Sequence, residues 1–194
     1  MPLLDRQGKK GETGEAVETG ENARGAGMAK LHSLDNNRTG VIVSLNLSGG
    51  GVPKKRVPDA KVSLLGLDGD GHNDEKHHGG PDRAVCLYSI EKIHALQAEG
   101  HPIDVGTAGE NVTVEGLDWD QVVPGTRIQL GDEVLLEVTA FTTPCKTIRE
   151  SFIEERFVRI SHKVYPGWSR VYARVICEGE VHFGDPVELL PAPE

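Results

Sequence analysis

From Val41 onward the chain alternates apolar and polar residues over short runs punctuated by glycine and proline. In Val41-Ile42-Val43-Ser44-Leu45-Asn46-Leu47, the residues Val43, Leu45 and Leu47 share one face of an extended backbone. Runs of the same kind predict strands at 61–65, 84–88, 111–114, 126–130, 134–139, 171–176 and 186–190, with Gly131-Asp132 as a hairpin turn between two of them. This series predicts a mainly β (α+β) fold, a closed or nearly closed barrel of about eight short strands. Two peripheral helices or more interrupt it. Ser89 is placed to cap a helix over 90–99, with Ile90, Ile93 and Leu96 on its buried face and Gly100 at its stop. Thr147-Ile148-Arg149-Glu150 reads as a capping box that opens a second helix, carried by Ile148, Phe152 and Phe157 to about Val158.

The 194 residues are enough for one domain with a substantial core, and 24 Gly and 11 Pro against 4 Phe and 3 Tyr argue for many turns rather than long helices. Residues 1–27 are rich in glycine and charge, with Leu3, Leu4 and Val17 as their sizeable aliphatics. Such a stretch buries too little surface to offset its ordering entropy, so it is expected to be a disordered leader or extension, with a single domain over 28–194. A net charge of -9 repels nucleic acid polymers and anionic membranes at long range, leaving room for a local basic pocket. Three cysteines, Cys86, Cys145 and Cys177, are too few and odd in number for a disulfide scaffold, which points to a reducing, cytoplasmic setting. No apolar run approaches the roughly eighteen residues of a membrane span.

Candidate chemistry gathers in four segments. Cys145 follows a strand in Thr143-Pro144-Cys145-Lys146 and precedes the second predicted helix, whose amide groups, with Lys146, would favour the thiolate. A thiolate is both a nucleophile and a soft metal ligand. Cys86 and Cys177 lie within strand runs and read as structural residues. The polar loop from Asp68 to Arg83 contains His77-His78-Gly79-Gly80-Pro81, with His77, His78 and Arg83 as donors and Asp70 and Asp82 placed to orient them. The same loop is open to two other readings, a solvated hairpin loop and a zinc site on His72, His77 and His78 for a hydrolase. Gly106 to Asn111 sets two glycines ahead of Glu110 and Asn111 at a strand entrance, and Trp168 and Arg170 sit ahead of another. Arg83, Lys146, Arg149 and Arg170 together could form an anion pocket for a phosphorylated cofactor.

The ordered blocks His77-His78-Gly79-Gly80-Pro81-Asp82-Arg83, Gly109-Glu110-Asn111-Val112-Thr113-Val114, Thr143-Pro144-Cys145 and Gly167-Trp168, followed by Ala173-Arg174-Val175, resemble the MOSC domain. This family is named for the C-terminal domain of molybdenum cofactor sulfurases, and the likeness is to its stand-alone bacterial members. The resemblance runs over about residues 40–190 and implies a strand-rich barrel that binds the molybdenum cofactor, a metal held by a pterin. Cys145 matches the family cysteine that ligates molybdenum or carries sulfur as a persulfide. Two functions are thereby implied. One is a molybdenum-dependent reductase of N-hydroxylated bases, with His77, His78 and Arg83 near cofactor or substrate, Asp70, Asp82, Asn111, Lys146, Arg149 and Arg170 as binding groups, and an external electron donor. The other is a sulfur carrier loaded by a separate pyridoxal-phosphate-dependent desulfurase. A homodimer is compatible with both.

Overall fold

The computed structural model describes residues 38–71 and 79–191. Eleven strands lie along them in chain order: β1 (Thr39–Leu47), β2 (Lys55–Val57), β3 (Asp59–Ser63), β4 (Gly66–Leu67), β5 (Val85–Ser89), β6 (Val112–Glu115), β7 (Arg127–Leu130), β8 (Val134–Phe141), β9 (Val171–Cys177), β10 (Gly179–His182) and β11 (Pro186–Leu190). Seven of them close a barrel in the order β1-β11-β7-β8-β9-β5-β6 and back to β1, with β5 and β6 the parallel pair. β1 serves two neighbours along one edge: Thr39 to Val41 pair with β11 to complete the closure, and Leu45 to Leu47 pair with β2. The strand expected at 61–65 belongs to a separate sheet, β10-β3-β4, so closure needs seven strands where about eight were expected.

Alternation along these strands fills the interior. Ile42, Leu45, Val85, Leu87, Val112, Ile128, Leu130, Val134, Leu136 and Val171 are all fully buried. Each contributes about 1.5–3 kcal/mol relative to an exposed position, so the period-two pattern fixes both register and inside face. Among the described residues one α-helix forms, α1 (Ile90–Ala98), and it leaves β5 directly. The Ser89 hydroxyl accepts from the Lys92 amide as its N-cap, Ile93 and Leu96 are buried, and Gly100 ends it at φ +90°.

The second predicted helix does not form. Residues 146–160 instead make three short 3-10 turns, Lys146–Ser151, Ile153–Glu155 and Phe157–Ile160, with Phe152 extended between the first two. Ile148, Phe152 and Ile160 are all buried, but the five-residue step from Phe152 to Phe157 breaks helical spacing. β-branched and aromatic residues also lose rotamer freedom in a helix, so burial prevails over the capping-box signal. The chain re-aims at Glu154 and Glu155, two non-glycine residues with φ of 54° and 56°. Cys145 itself stands at the N-cap position of the first 3-10 turn, with no side-chain cap bond, where the start of an α-helix was expected.

Candidate functional site

Register decides which residues meet on the outer face of the barrel. Leu45, Val112, Leu87 and Val171 lie side by side and point inward. Their strand neighbours therefore form two rows on the opposite face. One row is Ser44, Thr113, Tyr88 and Arg170, and the next is Asn46, Asn111, Cys86 and Tyr172. Apart from half-buried Tyr172, all of these are buried, although they lie on the outer face of the barrel.

Hydrogen bonds satisfy most of this polar layer. The Ser44 hydroxyl donates to Asn46 Oδ1 at 2.8 Å, Asn46 Nδ2 donates to Thr113 Oγ1 at 3.3 Å, and Thr113 donates to Glu110 Oε1 at 3.3 Å. The same Glu110 oxygen accepts the Gly106 amide at 2.5 Å. Asn111 accepts the Cys86 amide at 3.1 Å and donates to Asp70 Oδ2 at 2.8 Å. Asp70 also accepts the Ser48 amide at 2.9 Å and pairs with Lys54, with side-chain exposures of 3% and 7% for the aspartate and the lysine. Arg170 donates from Nη1 to the Ala108 carbonyl. Two atoms in the layer lack a partner, Glu110 Oε2 and Arg170 Nε. Gly106 is required where it stands: at φ +78° an added Cβ would lie 2.5 Å from the Lys54 carbonyl oxygen.

Burial is the largest influence on the ionisation of Glu110, Cys86 and Tyr172. It raises the Glu110 carboxyl above its usual range, against the Gly106 amide, the Glu110 amide, Arg170 and Thr113, which favour the charged form. Burial pushes the Cys86 thiol up to about 11, with Arg170 the main opposing influence. Tyr172 is pushed up to about 12, first by burial and then by Cys86, while Arg170 and Arg83 pull it down and Cys145 raises it further.

The structure thus brings Asp70, Asn111 and Arg170 into one layer. Asp82 and Arg83 occupy an exposed 3-10 turn, Pro81–Arg83, at the start of β5. The Arg83 guanidinium lies 5.8 Å from the centre of the Tyr172 ring. Asp82 lies 3.5 Å from Arg174, an ion pair on the outer side of the turn. Cys145 is half-exposed just beyond β8, next to exposed Lys146. Arg149 turns to Glu155 at 3.6 Å. His72, His77 and His78 lie outside the described residues, as does the expected leader over 1–27. Among the described residues, no three His, Cys, Asp or Glu side chains come together to hold a metal ion, and no helix is long and apolar enough to cross a membrane.

Sequence reasoning missed Lys54, Asn46 and Thr113 as members of the layer. Lys54 opens the basic run Lys54-Lys55-Arg56, which reads as solvated surface, and its burial depends on an aspartate sixteen residues away. Asn46 had a legible signal, since it falls on the polar phase of the β1 alternation and yet has no exposure. Cavities of about 600 Å³ beside His101 and Arg159 and about 270 Å³ beside Trp119 and His162 are lined by none of the predicted site residues.

The described residues thus form a seven-stranded barrel with a buried polar layer on its outer face and a half-exposed cysteine just beyond β8. The MOSC domain model matches residues 74–188, and the chain belongs to that family. It is 35% identical over 140 residues to the uncharacterized protein YflK of Bacillus subtilis (strain 168), covering 70% of this chain and 62% of that protein. It is 35% identical over 136 residues to the protein YiiM of Escherichia coli (strain K12), covering 66% and 58%. A protein named reductase from Gibberella moniliformis is 33% identical over 136 residues, 68% of this chain and 24% of that one. The chain thus spans less than two thirds of each of these relatives. The crystal structure of YiiM from Geobacillus stearothermophilus superposes with a TM-score of 0.57 at 26% identity, over 78% of this chain and 75% of that one.

Proposed function

We propose that this protein is a cytoplasmic, molybdenum-cofactor-dependent reductase of N-hydroxylated bases or related compounds, with Cys145 as the protein's ligand to the metal. The observation that carries this reading is the half-exposed Cys145 thiol just beyond β8, beside exposed Lys146. The donor set fits the group: a cysteine sulfur suits a soft, sulfur-ligated metal, and Arg83 and Lys146 are exposed cations for a pterin phosphate. Glu110 Oε2 and Arg170 Nε add unmet hydrogen-bonding capacity in the same layer.

When bound, the cofactor supplies two-electron exchange with an external donor. The chain's own residues hold and orient. Asp70 fixes the Asn111 amide, the Ala108 carbonyl fixes Arg170, and Arg83, with His77 and His78, binds cofactor or substrate. Overall, the N-hydroxy compound takes up two electrons and two protons, its N–O bond breaks, and amine and water leave. The reductase name of the fungal relative supports this direction of chemistry. Cofactor-loaded protein is expected to reduce an N-hydroxylated purine in the presence of a chemical electron donor, and Cys145→Ser to abolish turnover. Equal turnover by both proteins removes the reading.

The half-exposure of the same thiol also suits a sulfur carrier. That function predicts a mass increase of one sulfur on Cys145 after incubation with a pyridoxal-phosphate-dependent desulfurase.

A further inference from the structure

We propose that the cavity of about 600 Å³ beside the C-terminal end of α1 binds an uncharged, planar aromatic molecule that carries a carbonyl acceptor. Its volume falls within the roughly 300–1,000 Å³ of small-molecule sites. None of its lining residues is assigned above to Cys145 chemistry, so the proposal stands apart from either use of that thiol. The charged side chains on its wall already have partners. Arg159 donates to both Glu99 oxygens, at 2.9 and 2.5 Å, Arg156 donates to Glu154 at 2.5 Å, and Glu155 lies 3.6 Å from Arg149. Carboxylates and guanidinium groups thus alternate around the cavity, and a ligand ion of either sign meets a like charge as well as an opposite one. An uncharged molecule avoids that conflict.

Two N–H groups on the same wall lack an acceptor among the described residues. The Ile153 amide donates to His101 Nδ1 at 3.1 Å, which places the proton of a neutral imidazole on Nε2. Burial, the largest influence, holds His101 below the usual histidine range, so the ring is neutral at pH 7. Nε2 lies 3.6 Å from Glu99, too far for a hydrogen bond. Arg159 Nη1 is the second such donor and is buried. A ligand carbonyl meets the need that both leave. Rings and aliphatic groups supply the remaining surface. Phe157 is half-buried, whereas Ile153, Val158 and Tyr165 are exposed, and the Arg159 guanidinium lies 3.6 Å from the centre of the Trp168 ring and 5.0 Å from that of Tyr165. These contacts hold the cation and the Tyr165 ring together as one flat wall. Glu154 and Glu155, at φ of 54° and 56°, form the turn beside Ile153 at the rim. Non-glycine residues held in that region cluster at ligand sites.

The test titrates nitrogen-15-labelled full chain at pH 7 with benzamide, benzoate and benzamidinium, which share one shape and are neutral, anionic and cationic in turn. Benzamide is expected to shift the backbone amides of His101, Ile153 and Tyr165 saturably, with a Kd of about 1 mM, the scale of a small fragment. The His101 Nε2 resonance moves with them if the carbonyl accepts there. Benzoate and benzamidinium are expected to bind at least about tenfold more weakly. Val158→Trp, at an exposed position, fills the cavity without entering the core, and is expected to weaken benzamide by about tenfold or more while amide shifts elsewhere stay in place. Absence of saturable shifts at these residues up to about 20 mM benzamide would overturn the proposal. So would either ion binding as tightly as benzamide, a stationary His101 Nε2 resonance, or unchanged benzamide affinity in folded Val158→Trp.

Discussion

Asp70→Ala tests whether the polar layer is a locked structural floor. The substitution removes an acceptor from the Asn111 amide and the Ser48 backbone N–H, and leaves the Lys54 ammonium, itself 7% exposed, without that carboxylate. Removing one member of a buried ion pair costs about 3–5 kcal/mol, because the remaining charge stays desolvated. The two lost neutral donors each contribute about 1 kcal/mol but overlap with that figure, so the expected loss is about 3–5 kcal/mol in total. Against a typical stability of about 5–15 kcal/mol this is a large fraction. In urea unfolding with a slope near 2 kcal/mol/M, the midpoint falls by about 2 M. Lys54→Met in the same chain removes the stranded charge, so the double variant recovers part of the loss. A loss below about 1 kcal/mol for Asp70→Ala, or a double variant less stable than the single one, would refute the reasoning.

Other outcomes follow from the same geometry. Gly106→Ala places a Cβ against the Lys54 carbonyl at a positive φ and is expected to cost at least about 1–2 kcal/mol, measurable as a lowered unfolding midpoint. Because burial raises the Glu110 carboxyl in the folded protein, its contribution to stability is fully present below the ordinary value of 4.5 and is lost as pH rises through the folded value. Glu110→Gln removes that decline, so its stability relative to wild type should improve between pH 4 and pH 8, and a difference that does not vary with pH argues against a buried, proton-retaining carboxyl. Burial that pushes Cys86 to about 11 predicts that native protein at pH 8 alkylates at Cys177 and Cys145 but spares Cys86, as counted by peptide mass spectrometry.

The barrel strands were legible because alternation and turn residues agree along each run. Every run expected from 41–47 to 186–190 overlaps an observed strand, and Ser89 caps its helix as the local sequence dictates. Strands β2, β4 and β10 were not legible: two to four residues are too short to carry a period, and their pairing comes from distant partners. The segment after Cys145 misled because a local capping pattern is overridden where the chain becomes extended at Phe152 and turns through positive φ at Glu154 and Glu155, so that Ile148, Phe152 and Ile160 are buried from separate 3-10 turns. Asn111 and Arg170 were recognisable as polar residues at strand entrances and Asp70 as part of a polar loop, yet the convergence of the first two depends on registers across β1, β6, β5 and β9, and Asp70 joins them through its bonds to Asn111 and Ser48. Lys54 and Tyr172 carry no local mark, since a lysine in a basic run and a tyrosine in a strand are common surface residues until topology buries one and sets the other beside Arg83.

The central claim concerns one sulfur atom and is tested most directly by metal and pterin analysis of protein purified from molybdate-supplied cells. Wild-type protein is predicted to carry close to one molybdenum and one pterin per chain, and folded Cys145→Ser to lose the molybdenum. Metal-free wild type under those conditions, or equal molybdenum in both proteins, would contradict the account.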